Sequence, residues 1–389
     1  MWGIACGDPQ ASERMDHRPA LRAQGAPFGA PDFVVDCEGG GDFTEIQPAI
    51  DAAQSGQWIE VAPCTYQERL DFNGHSVFLR APAGAADTII DAQGNGPAIT
   101  ATTGETDEAG IQGFTLRRGS GETVLVDMAE FRMSDIVIQE GDGAYGVLAD
   151  SSNIEIDNLT MVDNDFSTAG VYADRGSMAI KNSDIDCGNG SYGIFTGHGA
   201  LHLDWSEVSC EGNFNWALFS EHSIGRVLRS SLHGDMEVEN EDDHYTDQIQ
   251  STDTLHDGDI VVTYGTLTLR NGIVNGSVSL ALTTTPVISS TIFVGGSCAI
   301  ESDVALEPTY NNFFEVDSGC GYGDPEYVGS DGNLDEDPMF VDPLAGDFHL
   351  DAGSPLINAG EADPFWEDVD GSRNDMGLYG SRYSQDGGW

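Results

Sequence analysis

The sequence predicts an all-β parallel solenoid with three short strands per coil of about 23 residues, because matched segments recur down the chain at one period. Gly-Val-Leu-Ala-Asp from Gly146, Gly-Val-Tyr-Ala-Asp from Gly170, Gly-Ile-Phe-Thr-Gly from Gly193 and Ala-Leu-Phe-Ser-Glu from Ala217 align at steps of 24, 23 and 24. Leu116, Ile138, Met161, Ile185, Val208 and Leu232 mark a second strand at steps of 22, 23, 24, 23 and 24. A third alternating segment lies between them, in Ile154-Glu-Ile-Asp, Met178-Ala-Ile-Lys and Leu201-His-Leu-Asp, with Gly/Asn/Asp/Ser turns as separators. Alternate side chains of each strand point inward, so stacked coils bury ladders of Ile, Val, Leu and Phe.

Taken in order, residues 1–31 read as a polar tail and 32–56 as a strand and a capping helix. The helix is predicted from the apolar spacing of Phe43, Ile46, Ile50 and Ala53 and covers the open end of the solenoid. The solenoid occupies 57–320, beginning with strands near 58–62, 77–80, 88–91 and 98–102. After Leu232 the next marker is Val274, 42 residues on, which makes two coils. The coil between holds 236–240, 248–252 and Leu255, with an acidic turn over 239–247; Phe293 and Phe314 continue the series. Residues 321–389 form a closing segment.

Charge excludes one class of partner. The 389 residues include 15 basic and 66 acidic ones, a formal net charge of −51 that repels nucleic-acid phosphates and anionic membranes. No apolar run approaches the roughly 18 residues a membrane span needs. The chain is expected to act as a monomer.

Six of the 7 cysteines form sequence-neighbouring couples. Cys187 and Cys210 each stand two residues beyond a marker, which places them in one column of adjacent coils, about 4.8 Å apart and within disulfide reach. Cys298 and Cys320 span about one coil, and Cys37 with Cys64 would tie the first strand to the first coil. Zinc is the competing explanation, but no CxxC occurs. Three disulfides imply an oxidising, extracytoplasmic compartment. Cys6, preceded by small residues, resembles the end of a bacterial lipoprotein signal whose hydrophobic stretch would lie upstream of Met1; the alternative is a free thiol.

Gly41-Asp-Phe-Thr-Glu-Ile-Gln-Pro-Ala-Ile-Asp-Ala-Ala, followed by Trp58-Ile-Glu-Val-Ala-Pro-Cys-Thr-Tyr-Gln-Glu68, resembles the opening of right-handed parallel β-helix proteins of the pectin-lyase-like superfamily. Asp337-Pro-Met-Phe-Val-Asp-Pro, Gly346-Asp-Phe-His-Leu, Gly353-Ser-Pro-Leu-Ile-Asn-Ala-Gly and Asp368-Val-Asp-Gly-Ser-Arg-Asn-Asp-Met-Gly-Leu-Tyr resemble the close of secreted bacterial members. The resemblance covers about residues 32–383 and departs at Cys64, where Gly is usual. It implies a right-handed β-helix, secreted or held as an outer-surface lipoprotein of a bacterium. The superfamily spans polysaccharide lyases, glycoside hydrolases, epimerases, esterases and adhesins, so the implied partner is a polysaccharide or surface glycan.

A catalytic site in this family lies on the outer face of a strand column. With the second series inward, Asp184, Asp186, Glu207 and His233 point out and carry acid–base chemistry if any is present. Asp184 and Glu207 would be neighbours at about 5 Å, a separation suited to glycoside hydrolysis or calcium. Solvated acids on an acidic surface are the competing reading. Gly197-His198-Gly199 resembles the Gly-His-Gly of polygalacturonases but falls in a turn, and Arg117 with Arg118 would be the only clustered cations for a lyase. Tyr192, Trp205 and Trp216 are expected to stack on sugars; for Trp205 the alternative is packing under a turn. For calcium the sequence offers Asp242, Asp243 and Asp247 in the acidic turn, and Asp368, Asp370 and Asp375 in a segment like the start of an EF-hand loop. The second set lacks the closing Glu and equally suits carboxylates strapping a tail to backbone N–H groups. A surface spacer or adhesin that uses only the solenoid's rigidity remains the third functional class.

Overall fold

A computed structural model describes residues 29–210, 215–240, 247–283, 285–321, 326–368 and 370–381. The chain winds as a parallel β-helix: all strand pairings among its coils are parallel, and the one antiparallel pair among the described residues joins Phe340–Asp342 to Asp347–Leu350. One face is a 12-stranded sheet, one strand per turn, and a 22-stranded sheet forms the other two faces. Those two faces are continuous because strands such as Glu130–Gln139 and Asn153–Val162 turn a corner without ending.

The corner residues explain how. Asp135, Asn158, Asn182, Trp205, Arg229, Asp253, Asn271 and Ser290 all take left-handed φ values of 45–60°. Each non-glycine residue there costs on the order of 1 kcal/mol. The next residue offsets part of that cost: the Ser183 hydroxyl donates to the Lys181 carbonyl and accepts the Leu159 N–H, and Ser206 repeats this with Asp204 and the Ser183 N–H. A ladder of hydroxyls thus satisfies backbone groups that the corner leaves without sheet partners.

Register agrees with both predicted columns. Val147, Val171, Ile194 and Leu218 are successive partners, as are Leu116, Ile138 and Met161, and then Ile185, Val208 and Leu232. These side chains are buried and belong to one core cluster. The two coils between Leu232 and Val274 are present, and His256 fills the inward position between them. One marker needs correction: Phe293 pairs with Phe313, and Phe314 faces outward. A Phe-Phe doublet leaves alternation ambiguous by one residue, and a one-residue slip exchanges the two faces.

At the N-terminus, Phe33–Val35 already pairs with Ile59, Glu60 and Val61, so the ladder begins before residue 57. The helix Ile46–Ala52 buries Ile46, Ala49 and Ile50 in the core, and Glu68 accepts hydrogen bonds from the N–H groups of Ile46 and Gln47. All three disulfides join the expected couples, with Cα separations of 6.5, 5.0 and 6.1 Å for Cys37–Cys64, Cys187–Cys210 and Cys298–Cys320. Each closes a loop of about one coil and stabilises the fold by about 3 kcal/mol.

Beyond Ser231 the outward positions of the second column turn apolar, as Leu255, Ile273 and Ile292. They are buried because the closing segment lies over them through Leu356, Met376 and Leu378. Arg270 with Glu361, Asn271 with Asn374 and Asp253 with Ser381 strap that segment down. The polar stretch of the same column, Asp184 and Glu207, lies outside this cover.

Candidate functional site

Two outer faces carry concentrated chemistry. On the second column, Asp184 is the register partner of Glu207, and Asp186 that of Ser209. His233, one coil on, stands between two carboxylates: Nε2 is 3.3 Å from Glu207 Oε1 and Nδ1 is 3.6 Å from Asp257 Oδ2. Asn275 donates to the other oxygen of Asp257 at 2.7 Å. The run Asp184, Glu207, His233, Asp257 therefore crosses four coils without a break. Partial burial, then the charges of Glu207 and Asp186, push the Asp184 carboxyl above its ordinary range. Asp184 and Glu207 nevertheless remain exposed as residues. Asp257 is a member of this run that the sequence did not single out. Its signal was the outward position two residues past Leu255.

On the 12-stranded sheet, Tyr192 and Trp216 stack with centroids 5.2 Å apart and planes at 9°. Beside them Tyr172, Phe195 and Phe219 stack at 4.3 and 5.6 Å, and Tyr145 leans on Tyr172 at 5.1 Å. Edge contacts of Tyr192 with Phe195 and of Trp216 with Phe219 join the two rows into one strip of six rings. The stacking distances follow the coil spacing, so rings inside the strip cover one another's faces. In the next strand the partner of Trp216 is Asp235, that of Phe219 is Glu237, and that of Glu221 is Glu239. Tyr172, Phe195 and Phe219 were legible as the third residues of the aligned segments but were not recognised as outward.

Trp205 does not join this strip. It occupies a corner under the Arg229 guanidinium, 4.9 Å from its ring centroid, while Arg229 Nε donates to Asp204 at 2.8 Å. Arg117 and Arg118 are both held by the buried Asp91. Burial pushes that carboxyl up, but the two guanidiniums prevail and hold it down to about 2. His198, in its left-handed turn, lies 3.0 Å from Asp174 and stacks on His222 at 4.8 Å.

Asp242 and Asp243 lie outside the described residues, as does Cys6. Asp247 is buried, and burial raises its carboxyl to about 6. In the closing segment Asp370 accepts the Ser372 N–H at 2.8 Å, Asp375 accepts the Asn358 N–H at 2.5 Å, and Asp368 accepts the Ser372 hydroxyl at 3.2 Å. Burial, then the Asp375 charge, pushes Asp368 to about 7. Among the described residues no three acidic, histidine or cysteine side chains converge as metal ligands.

No helix among the described residues is long and apolar enough to cross a membrane. No family model matches the chain, and no curated protein matches it. Among solved structures it is similar to PfbA, a surface adhesin of Streptococcus pneumoniae, at 10% identity and a TM-score of 0.43, over 70% of this chain and 86% of that one. It is similar to a mutant form of AlyGC, an alginate lyase of the PL6 family, at 11% identity and 0.43, over 79% and 54%. It is also similar to the pectate lyase Pel9A at 14% identity and 0.36, over 86% and 90%. The strand register described above establishes the chain as a parallel β-helix, the architecture its opening and closing motifs resemble.

Proposed function

We propose that this chain is an extracytoplasmic β-helix protein that engages polysaccharide or surface glycan on its aromatic face. The observation that carries this reading is the strip of six packed rings, among them Tyr192 and Trp216, on the outside of the 12-stranded sheet. Phe195 and Phe219 are buried within the strip, while Tyr145, Tyr172, Tyr192 and Trp216 keep partial exposure, and sugar C–H faces are the ligand chemistry that packs on such rings. Three disulfides fit an oxidising compartment. A glycan array followed by titration of its best ligand tests the reading. Trp216→Ala is expected to weaken binding five- to tenfold, about 1–1.5 kcal/mol. An array without a binder would favour the rigid spacer.

A second reading is favoured by the placement of His233 between Glu207 and Asp257. A histidine oriented by one carboxylate and facing another, beside an acid with a raised pKa, is a general acid–base arrangement for glycoside cleavage. A hydrolase releases reducing ends and a lyase releases unsaturated, ultraviolet-absorbing ends. Asp184→Asn with Glu207→Gln is expected to abolish either activity, and turnover that survives in this variant would remove the face from consideration. Cys6 is the proposed lipid acceptor, to be checked by mass spectrometry of the protein from membranes.

A further inference from the structure

Three successive left-handed corner residues, Asp253, Asn271 and Ser290, hold the closing segment, and one of them is ionisable. Ser290 accepts the Glu361 N–H at 2.9 Å on its hydroxyl and the Gly377 N–H at 2.8 Å on its carbonyl, and Asn271 donates to Asn374 at 2.7 Å. At the remaining corner the Ser381 hydroxyl donates to Asp253 Oδ2 at 2.8 Å. Asp253 is 2% exposed, and its Oδ1 has no hydrogen-bond partner among the described residues. The apolar part of the same contact, Leu255, Ile273 and Ile292 against Leu356, Met376 and Leu378, forms a cluster apart from the main core. A segment seated by a small cluster of its own and a few hydrogen bonds opens at lower free energy than the stacked coils beneath it.

We propose that the closing segment is a latch that leaves the β-helix as one unit, and that Asp253 beneath Ser381 makes it hold in acid and loosen toward neutral pH. Leu255 and Asp257 share one strand, so release bares apolar surface at the edge of the His233–Asp257 run.

The neighbours of Asp253 set the sign. Burial drives its carboxyl up to about 7, against the Ser381 hydrogen bond and the Arg229 charge, which lower it. Arg229, on the preceding coil, is itself engaged by Asp204. On the following coil Arg270 pairs with Glu361, and His256, on the strand after Asp253, turns inward to Ser251. Two carboxylates of the closing segment bond within it, Asp368 to Ser372 and Asp375 to the Asn358 N–H. Once released, Asp253 is wet and titrates near the ordinary value of about 3.9. Docking therefore takes up a proton: the hold is complete below about pH 4, is lost as pH rises toward 7, and is level above that.

Hydrogen exchange of the full chain between pH 5 and 8, read by mass spectrometry and corrected for the intrinsic rate at each pH, tests this. Peptides carrying Glu361 and Gly377, whose N–H groups reach Ser290, report the latch, and peptides carrying Val137, bonded to the Phe114 carbonyl, report the coils. Protection of the latch peptides is expected to fall at least about tenfold between pH 5 and 7, with a smaller change in the coils. Asp253→Asn, neutral and of the same shape, should hold latch protection within about threefold over that range. Ser381→Ala should lower it at every pH and keep the slope. Circular dichroism reports the folding of each variant, and if Asp253→Asn misfolds, wild type and Ser381→Ala still decide the question. Latch and coil peptides exchanging together would show one cooperative unit and overturn the proposal. A tenfold fall that persists in Asp253→Asn would move the pH dependence to other carboxylates, and Ser381→Ala matching wild type would remove the contact that holds the latch; either result also overturns it.

Discussion

Replacing His256 with leucine is expected to raise stability at pH 4 by about 3 kcal/mol more than at pH 7. His256 occupies the inward column between Leu232 and Val274, a position that is aliphatic or aromatic in its neighbouring coils. It is 1% exposed, with Nε2 2.8 Å from the Ser251 hydroxyl and Nδ1 without a hydrogen-bond partner. Burial drives its pKa down to about 3. The folded chain therefore keeps the imidazole neutral, whereas the unfolded chain protonates it near pH 6.5. The stabilising contribution is complete above pH 6.5 and is lost progressively as pH falls toward 3. Relief of repulsion among 66 acidic residues runs in the opposite direction over this range, so the informative quantity is the difference between variant and wild type. Urea melts at pH 7, 5.5 and 4 supply it. A difference independent of pH would mean that His256 is hydrated or titrates normally in the folded chain.

Gly176→Ala is expected to cost at least about 3 kcal/mol, although the change adds one methyl group at a half-buried turn. A Cβ at position 176 would lie 1.7 Å from the Ser152 carbonyl oxygen and 2.7 Å from its carbon. Both are backbone atoms of the preceding coil, so neither can swing aside. The Ser152 carbonyl also accepts the Ser177 N–H, and the Gly176 carbonyl accepts the Ala200 N–H at 2.9 Å; a shift would disturb three coils. Gly84→Ala is the control. Its Cβ meets nothing within 4 Å, and its φ of +88° should cost only about 1 kcal/mol. Equal melting temperatures for the two variants would show that the coils are not in close turn contact at Gly176.

Much of this architecture was legible because periodicity 2 within strands and about 23 between coils reinforce each other over four or more repeats. That double constraint fixed Asp184 beside Glu207 and Cys187 beside Cys210. It failed where one constraint lapsed. The coil at 247–257 lacks an apolar marker because His256 takes the inward position and apolar Leu255 faces the closing segment. Asp257 went unrecognised for the same reason. Spacing cannot separate Phe313 from Phe314, because two adjacent phenylalanines carry no alternation. The aromatic strip was half-seen: Tyr192 and Trp216 are outward, but whether Trp205 joins them depends on a left-handed corner and on Arg229, and neither can be read from spacing.

Register between coils is the claim on which both faces depend, and cross-linking measures it directly. Glu155 and Ala179 are outward register partners one coil apart. In the chain carrying Glu155→Cys with Ala179→Cys, the two thiols should lie about 4.8 Å apart at Cα and oxidise to a disulfide that peptide mapping identifies. The offset pair Glu155→Cys with Ser177→Cys, two residues out of step, should stay reduced. A bond in the offset pair with none in the aligned one would place every outward residue named above on the wrong neighbour, and would contradict the account.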